Sequence, residues 1–416
     1  VNGASAAFTS SKRIFVKSGT TMTCVCFVMP LRIQFALKPN SKKKARANAA
    51  FNQKVLLLRN KISFIGYKNS QLHSATRYLY PMAIRVGVIM GGYSSEHGIS
   101  LKSGQAVFKA LDAVLFEAYS VVQSKTGWSA TNAQGTSIGF DPARMAILHE
   151  GAVKPLELIF NLIHGHPGED GTLAITWEAL GIPYTSCPPA SSALTFHKAW
   201  TNGVVQRLGV PVAPAIWTHD GVDPSSLDLK GLQFPLFVKP CRSGSSYGVT
   251  RITEAHQLAD ALKEAAKEDH AIVIEQGVSG TEVGCGVARW EDEVHCLGIT
   301  EIVPKREFFD YSAKYEGLAE EITPARIPAG AALQIEDYTR RIYEGLGLTG
   351  FCRADFILPK KGPPVLIEIN TVPGMSQESI LPKQLAARGT SLTEFTTLLA
   401  HQALKDAKNR AFPGIF

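Results

Sequence analysis

Two neighbouring segments, residues 350–356 and 365–370, carry charged and amide side chains at alternate positions. Because side chains alternate along a strand, we expect these residues to share one face of a hairpin whose other face is apolar. The residues on the shared face are Arg353, Asp355, Leu366, Glu368 and Asn370. Carboxylate and amide oxygens suit Mg²⁺, which completes its coordination shell with nucleotide phosphates. The pattern predicts a metal site at Asp355, Glu368 and Asn370, and a solvated hairpin face is the alternative.

A strand followed by a loop of small residues makes the second group. Strand 235–240 carries Lys239, and the loop 241–248 is rich in Gly and Ser. Small residues let backbone N–H groups approach phosphate oxygens, and a strand-borne lysine adds a positive charge. By itself such a loop is equally typical of an ordinary turn. In combination with the hairpin, it indicates a nucleotide site.

The elements that must position these residues begin at Met82. An apolar run over 84–90, interrupted only by Arg85, ends at Gly91-Gly92, as expected for a buried parallel strand entering a turn. A second buried strand is predicted over 156–163. Helices are predicted over 100–111, with Ser100 as the cap, and over 172–180. Together these elements predict a small doubly wound domain.

The remaining chain reads as a strand-rich part followed by a helix–strand–strand–helix set. Helices are predicted over 192–208, 254–267, 338–346 and 392–408. Strands are predicted over 235–239, 271–276, 281–288, 295–303, 350–358 and 364–370. The sequence therefore predicts an α/β protein with more than one domain.

The net charge of +7 is distributed unevenly. Residues 1–81 hold 14 of the 43 Lys and Arg residues and no Asp or Glu, so the remainder is net negative at −7. We expect this basic extension to be disordered or not translated, with Met82 as the start; a targeting or nucleic-acid-binding segment is the alternative. Seven cysteines without CxxC spacing indicate a reducing compartment, and no apolar run is long enough for a membrane span.

From Met82 onward the chain resembles the D-alanine–D-alanine ligase family of the ATP-grasp superfamily over nearly its whole length. The resemblance rests on motifs that occur in chain order. They are Gly91-Gly92-Tyr93-Ser94-Ser95-Glu96, His164-Gly165 with Gly168-Glu169-Asp170-Gly171, Lys239-Pro240 with Gly244-Ser245-Ser246, Phe309-Asp310-Tyr311-Ser312-Ala313-Lys314-Tyr315, Arg353 with Asp355, and Glu368-Ile369-Asn370-Thr371-Val372-Pro373-Gly374-Met375.

The resemblance implies a doubly wound N-terminal domain followed by a two-domain ATP-grasp fold, with boundaries at 82–183, 184–276 and 277–416. It implies that ATP phosphorylates a first D-alanine and that the amine of a second attacks the acyl phosphate to give D-alanyl-D-alanine for peptidoglycan precursors. It also implies a cytoplasmic homodimer that binds neither membrane nor, in residues 82–416, nucleic acid. A lid over 308–326 would exclude water.

The resemblance also implies roles for individual residues. The catalytic set would be Glu96, Ser245, Tyr315, Arg353 and the backbone N–H of Gly374, and the substrates would meet His164, Ser379 and Ile380. ATP would contact Lys198, Lys239, Ser246, Glu275, Gln276, Val278, Glu282 and Lys314. A pair of Mg²⁺ ions, or Mn²⁺ as a substitute, would bind Asp355, Glu368 and Asn370, with Glu368 bridging them.

Two other functions stay open. A related ATP-grasp ligase would use D-lactate or D-serine as the acceptor, although Tyr315 favours an amine nucleophile. A catalytically silent nucleotide-binding regulator would bind ATP without turnover. D-alanine-dependent phosphate release distinguishes these possibilities.

Overall fold

The computed structural model describes residues 14–18, 21–25, 83–229, 231–304 and 319–410. The chain divides into two compact units, residues 1–79 and 80–416. In the first unit, strands β1 (Ile14–Ser18) and β2 (Thr21–Val25) pair as an antiparallel hairpin. The expectations for the rest of the basic extension fall outside the described residues and stay predictions.

Seven strands form the first sheet of the second unit. They are β3 (Ile84–Gly91), β4 (Phe116–Ser124), β5 (Gly127–Asn132), β6 (Ser137–Asp141), β7 (Ala146–His149), β8 (Ala152–Pro155) and β9 (Leu158–Asn161), in the order β8-β7-β6-β5-β4-β3-β9. Buried β3 runs parallel to β4 and β9, which confirms the predicted parallel core. Strands β5 to β8 extend the sheet as an antiparallel meander that the sequence analysis did not predict.

Helices α1 (His97–Ala110) and α2 (Thr172–Ala179) belong to the same part of the chain. The prediction that Ser100 caps α1 is wrong, because the helix already begins at His97. The Ser100 hydroxyl instead accepts the N–H of Gly91 at 2.7 Å and donates to the carbonyl of Leu162 at 2.6 Å. Ser100 therefore ties α1 to the ends of the parallel strands rather than starting the helix.

The single helix predicted over 192–208 is two helices, α3 (Pro189–Phe196) and α4 (Lys198–Arg207). His197 separates them in an extended conformation, and its ring accepts the N–H of Trp200 at 3.4 Å as the cap of α4. The break places Lys198 at the first position of a helix rather than in its middle.

A four-stranded antiparallel sheet follows. Its strands are β10 (Ala215–His219), β11 (Leu236–Pro240), β12 (Thr250–Ile252) and β13 (Ala271–Gln276), in the order β10-β13-β11-β12. Helix α5 (Leu258–Ala265) packs against it through Leu258 and Leu262, which meet Val238 and Ile274 in one apolar core. This helix was predicted, although its first turn, Ala255–Gln257, is a 3₁₀-helix.

A five-stranded antiparallel sheet carries the predicted hairpin. Its strands are β14 (Gly280–Trp290), β15 (Glu293–Pro304), β16 (Ala319–Ile322), β17 (Phe351–Pro359) and β18 (Val365–Asn370), in the order β16-β15-β14-β17-β18. Helices α6 (Ala329–Gly345), α7 (Ile380–Ala387) and α8 (Leu392–Arg410) accompany it. Helix α6 begins earlier than predicted, and α7 was not predicted. Across the described residues, every helix is too short or too polar to cross a lipid bilayer.

Two sequence-based expectations for this sheet need correction. The register of β17 and β18 shifts after Asp355, so that Asp355 lies opposite Glu368 and Phe356 opposite Leu366. Strict alternation predicted that Leu366 shares the polar face with Glu368. The register shift instead places Leu366 in the apolar core beside Phe356. The proposed lid 308–326 is described only from residue 319, where β16 pairs with β15 instead of forming a loop.

Candidate active site

Distant parts of the second unit meet around one cleft. Its walls come from the Gly-rich loop after β9, the junction of α3 and α4, the small-residue loop after β11, and β18. The charged and amide side chains that line it are Glu169, Lys198, Asn202, Glu368 and Asn370. Lys198 Nζ donates to the carbonyl of Ser243 at 2.5 Å and lies 3.6 Å from Glu368 Oε2. The cleft thus joins the predicted phosphate loop to the predicted metal hairpin.

The structure brings Glu96 and Ser245 together across 149 residues of sequence. Glu96 is the buried N-cap residue of α1, and the Ser245 hydroxyl donates to its Oε1. Ser245 and Ser246 have φ angles of +51° and +60°, which a non-glycine residue adopts only when its surroundings hold it there. The Ser245 side chain reaches Glu96 from this turn of the loop. Tyr315, the third predicted member of the group, lies outside the described residues, as does Lys314.

His164 is buried in the loop after β9, where the first-substrate pocket was predicted. Its Nε2 lies 3.2 Å from the hydroxyl of Ser103, on α1. The same hydroxyl accepts the N–H of Met375 at 3.1 Å, directly after Gly374. Ser103 therefore connects two predicted site segments, and sequence reasoning missed it because a serine inside a helix carries no local signal of such a contact.

Arg353 and Asp355 form a buried bidentate ion pair, with both N···O distances at 2.7 Å. Burial alone would lower the pKa of Arg353, but the charge and hydrogen bonds of Asp355 outweigh this effect and leave the pKa raised. Asn370 Nδ2 lies 2.9 Å from Asp355 Oδ2 and 3.4 Å from Glu368 Oε1. The hairpin therefore gathers two carboxylates and an amide beside a fixed guanidinium.

Glu275 lies near the end of β13, where a carboxylate is usually exposed, but its side chain is buried. Its Oε2 accepts Lys239 Nζ at 2.6 Å and its Oε1 accepts Asn202 Nδ2 at 3.0 Å. Burial would lower the pKa of Lys239, but the ion pair with Glu275 outweighs burial and the pKa is raised. Lys239 therefore stays charged at the strand end. Asn202, on α4, was not identified from the sequence.

The remaining predicted nucleotide contacts surround the junction between the two antiparallel sheets. The backbone N–H of Gln276 donates to the carbonyl of Pro214 at 2.9 Å, and Gly277 N–H donates to Pro235 O at 2.8 Å. Val278 follows in the short link between β13 and β14, and Glu282 lies near the start of β14. The link thus has the position that the resemblance gives to an adenine-binding hinge.

Ser379 and Ile380 begin helix α7. Ser379 is its N-cap residue, but its side chain does not cap the helix and lies 2.8 Å from the hydroxyl of Ser376. A Cβ at Gly374 would lie 2.7 Å from Ser379 Oγ and 3.3 Å from its Cβ, so the lack of a side chain at Gly374 lets the two segments pack this closely. The start of α7 is therefore held against the segment that follows β18.

Glu169 is a site residue to which the sequence analysis gave no role. Its carboxylate accepts the N–H of Gly165 at 3.0 Å and that of Thr371 at 3.3 Å. Burial, followed by the negative charges of Glu96 and Glu368, raises the pKa of Glu169 to about 7. Its signal was the Gly168-Glu169-Asp170-Gly171 motif, but a glutamate between glycines is usually solvated.

Comparisons with known proteins match both halves of the second unit. Residues 85–187 match the family model described as the D-ala D-ala ligase N-terminus, and residues 204–401 match that of the C-terminus. The chain is 42% identical over 303 residues to the D-alanine–D-alanine ligase of Flavobacterium psychrophilum, a match that covers 72% of this chain and 92% of the relative.

Solved structures agree with this assignment. The VanG D-Ala:D-Ser ligase of Enterococcus faecalis matches with a TM-score of 0.69 at 29% identity, over 77% of this chain and all of that one. The D-alanine–D-alanine ligase of Bacillus anthracis complexed with ATP matches with a TM-score of 0.63 at 26% identity, over 79% of this chain and 99% of that one. The chain belongs to the D-alanine–D-alanine ligase family, whose members form a carbon–nitrogen bond.

Proposed function

We propose that the site joins two D-alanine molecules at the expense of ATP, through a D-alanyl phosphate. One observation carries this proposal: a linked set of contacts around one cleft connects the Glu96–Ser245 pair, Lys198 and the Arg353–Asp355–Glu368–Asn370 group. An amino-acid anchor, phosphate-binding cations and oxygen ligands are the groups that carboxylate phosphorylation needs in one place.

In the first step the carboxylate of one D-alanine attacks the γ-phosphorus of ATP, and ADP leaves. Lys198 and Lys239, with Lys314, neutralise phosphate charge, and the 243–246 loop supplies backbone N–H groups. The adenine contacts Gln276 and Val278 at the link between the sheets, where backbone groups of 275–278 read the base, and Glu282 takes the ribose hydroxyls. The support is the position of these residues around the cleft and the link.

The donor set on the hairpin fits a hard divalent cation, because Asp355, Glu368 and Asn370 offer only oxygen ligands once the Asn370 amide presents its oxygen. We assign these residues to a pair of Mg²⁺ ions, or Mn²⁺, with Glu368 shared. When bound, the ions neutralise phosphate oxygens and hold the transferring group in position.

In the second step the amine of another D-alanine attacks the acyl carbon, and inorganic phosphate leaves. Arg353 and the Gly374 N–H stabilise the negative oxygen of the tetrahedral intermediate, since Asp355 already holds the guanidinium in place. Glu96 takes the ammonium of the first D-alanine, which His164 flanks. Ser379 and the N–H of Ile380 take the carboxylate of the second, and Ser245 with Tyr315 completes the hydrogen-bonded group around Glu96.

A D-serine acceptor is the second candidate, because the fold is similar to that of a D-Ala:D-Ser ligase. The test is phosphate release by the purified protein with ATP and D-alanine alone, then with D-serine or D-lactate added, with mass spectrometry of the product. D-alanyl-D-alanine as the main product supports the proposal. A clear preference for another acceptor overturns the substrate assignment but leaves the ligase chemistry, and ATP binding without turnover identifies a regulator.

The proposed product is a peptidoglycan precursor, so the reaction belongs in the cytoplasm, where ATP is made. The resemblance to the family also implies a homodimer. Light scattering on the purified chain tests this part of the proposal: the mass of two chains supports it, and the mass of one chain contradicts it.

A further inference from the structure

The glutamine Gln384 lies wholly buried on α7, one turn after Ile380. Its Nε2 donates to the carbonyl of Gly284 at 2.9 Å and to the hydroxyl of Thr300 at 3.1 Å. Its Oε1 accepts the N–H of Gly286 at 3.1 Å. Both ends of the amide are therefore bonded, and two of the three partners are backbone groups of β14.

The β14 residues that Gln384 contacts are those that face the buried ion pair on β17. Gly284 lies opposite Asp355 and Gly286 opposite Arg353 in the pairing of β14 with β17. A Cβ at Gly286 would lie 2.3 Å from Gln384 Oε1, so glycine leaves the room that the amide occupies. A Cβ at Gly284 would lie 2.9 Å from Asp355 Oδ1, which shows that the same face of β14 also borders the buried ion pair.

Helix α7 is thus hydrogen-bonded to the same two glycines of β14 that pair with the strand carrying Arg353. Helix α7 carries Ser379 and Ile380 at its N-terminus, and Gln384 fastens the following turn to the strand residues that face Arg353 and Asp355. A buried amide with all its hydrogen bonds made fixes a packing geometry more sharply than apolar contact, since any shift leaves polar atoms unpaired.

We propose that Gln384 is a positioning residue for the second substrate: it sets the distance between the α7 N-terminus, which holds the acceptor carboxylate, and Arg353, which faces the reacting carbon. This inference rests on the proposed function, because it assumes that Ser379 and Ile380 meet the second D-alanine. It adds a residue that touches no substrate and acts through the helix that does.

The test is the Gln384→Leu variant, which removes the amide and its hydrogen bonds to Gly284 O, Gly286 N–H and the Thr300 hydroxyl. We expect the KM for the second D-alanine to rise about tenfold, with the KM values for ATP and the first D-alanine unchanged. Gln384→Glu is the second variant if the first does not fold; it keeps the acceptor for Gly286 and loses the donor, so the same KM should rise.

The matched control is Gln402→Leu. Gln402 is also buried on a helix, α8, but it bonds to Asp292 in the β14–β15 turn and to Asp406, and not to the β14 residues that face Arg353 and Asp355. It should lower the melting temperature without changing any KM. The inference is overturned if the Gln384 variants lose only stability, as Gln402→Leu does. Ser379→Ala separates the two proposals: if it leaves the KM for the second D-alanine unchanged, the acceptor site itself is misassigned.

Discussion

Gly244 lies so close to the carboxylate of Glu96 that its lack of a side chain becomes a requirement. A Cβ at this position would lie 2.4 Å from Glu96 Oε2 and 2.8 Å from Oε1. We expect Gly244→Ala to displace Glu96 and break its bond to Ser245, raising the KM for the first D-alanine about tenfold or more. Steady-state kinetics with varied D-alanine measures this change.

A matched glycine provides the control for this prediction. Gly203 is exposed on α4, and nothing lies within 4 Å of a Cβ built there. Gly203→Ala should leave the kinetics unchanged and stabilise the helix by up to about 1 kcal/mol. If both alanine variants show the same KM, close packing at Gly244 does not hold Glu96 in place.

The buried carboxyl of Glu169 makes stability depend on pH. Its pKa of about 7 in the fold lies above the ordinary value of 4.5, so the folded state holds this proton more tightly than the unfolded state. The stabilisation is complete below pH 4.5 and is lost as the pH rises to 7. We expect the wild-type free energy of unfolding to fall by about 3 kcal/mol over this window relative to Glu169→Gln.

Urea unfolding of both proteins without ligands, at several pH values between 4.5 and 7, measures this difference. The comparison uses the slope with pH rather than the absolute stability, because the glutamine also replaces one hydrogen-bond acceptor by a donor. Parallel profiles for the two proteins would show that Glu169 does not titrate in this range.

At the scale of secondary-structure elements, one buried ion pair spans two strands and a helix. Lys239 on β11 and Glu275 on β13 form an ion pair at 2.6 Å. Asn202 on α4 donates a hydrogen bond to the second carboxylate oxygen of Glu275. Lys239→Met would leave Glu275 with a buried charge that lacks its cation, so we expect a loss of about 3–5 kcal/mol in unfolding free energy. Chemical denaturation measures it.

The control for this loss is a surface pair of the same kind. Lys263 and Asp260 pair at 3.0 Å on α5 with both side chains largely exposed. Lys263→Met should change the unfolding free energy very little, because solvent screens exposed charges. Equal effects of the two methionine variants would mean that burial does not strengthen the Lys239–Glu275 pair.

Strands and helices with a clear hydropathy pattern could be predicted from the sequence. Short elements, whose structure depends on the segments packed around them, could not. The largely apolar run of β3 predicted a buried strand and the alternation along β17 predicted a strand with one apolar face, and both strands are present. Strands β7 and β8 have four residues each, so neither contains enough positions to establish a period. Helix α7 was missed because Pro382 sits in its first turn and the helix is only eight residues long.

At the scale of the whole molecule, every predicted site residue lies in the unit 80–416, whereas the positive charge is concentrated in residues 1–81. We expect a protein that starts at Met82 to keep the melting temperature and the D-alanine-dependent activity of the full chain. Calorimetry and phosphate release measure both, and salt-dependent binding to heparin should disappear with the 14 cations. A loss of activity would assign the extension a part in the enzyme.

The sequence by itself determined which polar residues each strand of the hairpin presents together, because a period of two places Arg353 with Asp355 on one strand and Glu368 with Asn370 on the next. It also determined the order of the motifs, and with it the family. Only the tertiary structure decided which side of β18 Leu366 occupies, since the register shift depends on pairing with β17.

Only the tertiary structure brought Glu96 to Ser245 and Glu169 to Thr371, contacts that span 149 and 202 residues. Likewise, Gln384 reads from the sequence as one polar residue of a short helix, and its partners on β14 exist only once the sheet has formed. Local patterns specify which face a side chain takes. The packing of distant segments specifies which residues that side chain contacts. In this protein those long-range contacts form the site.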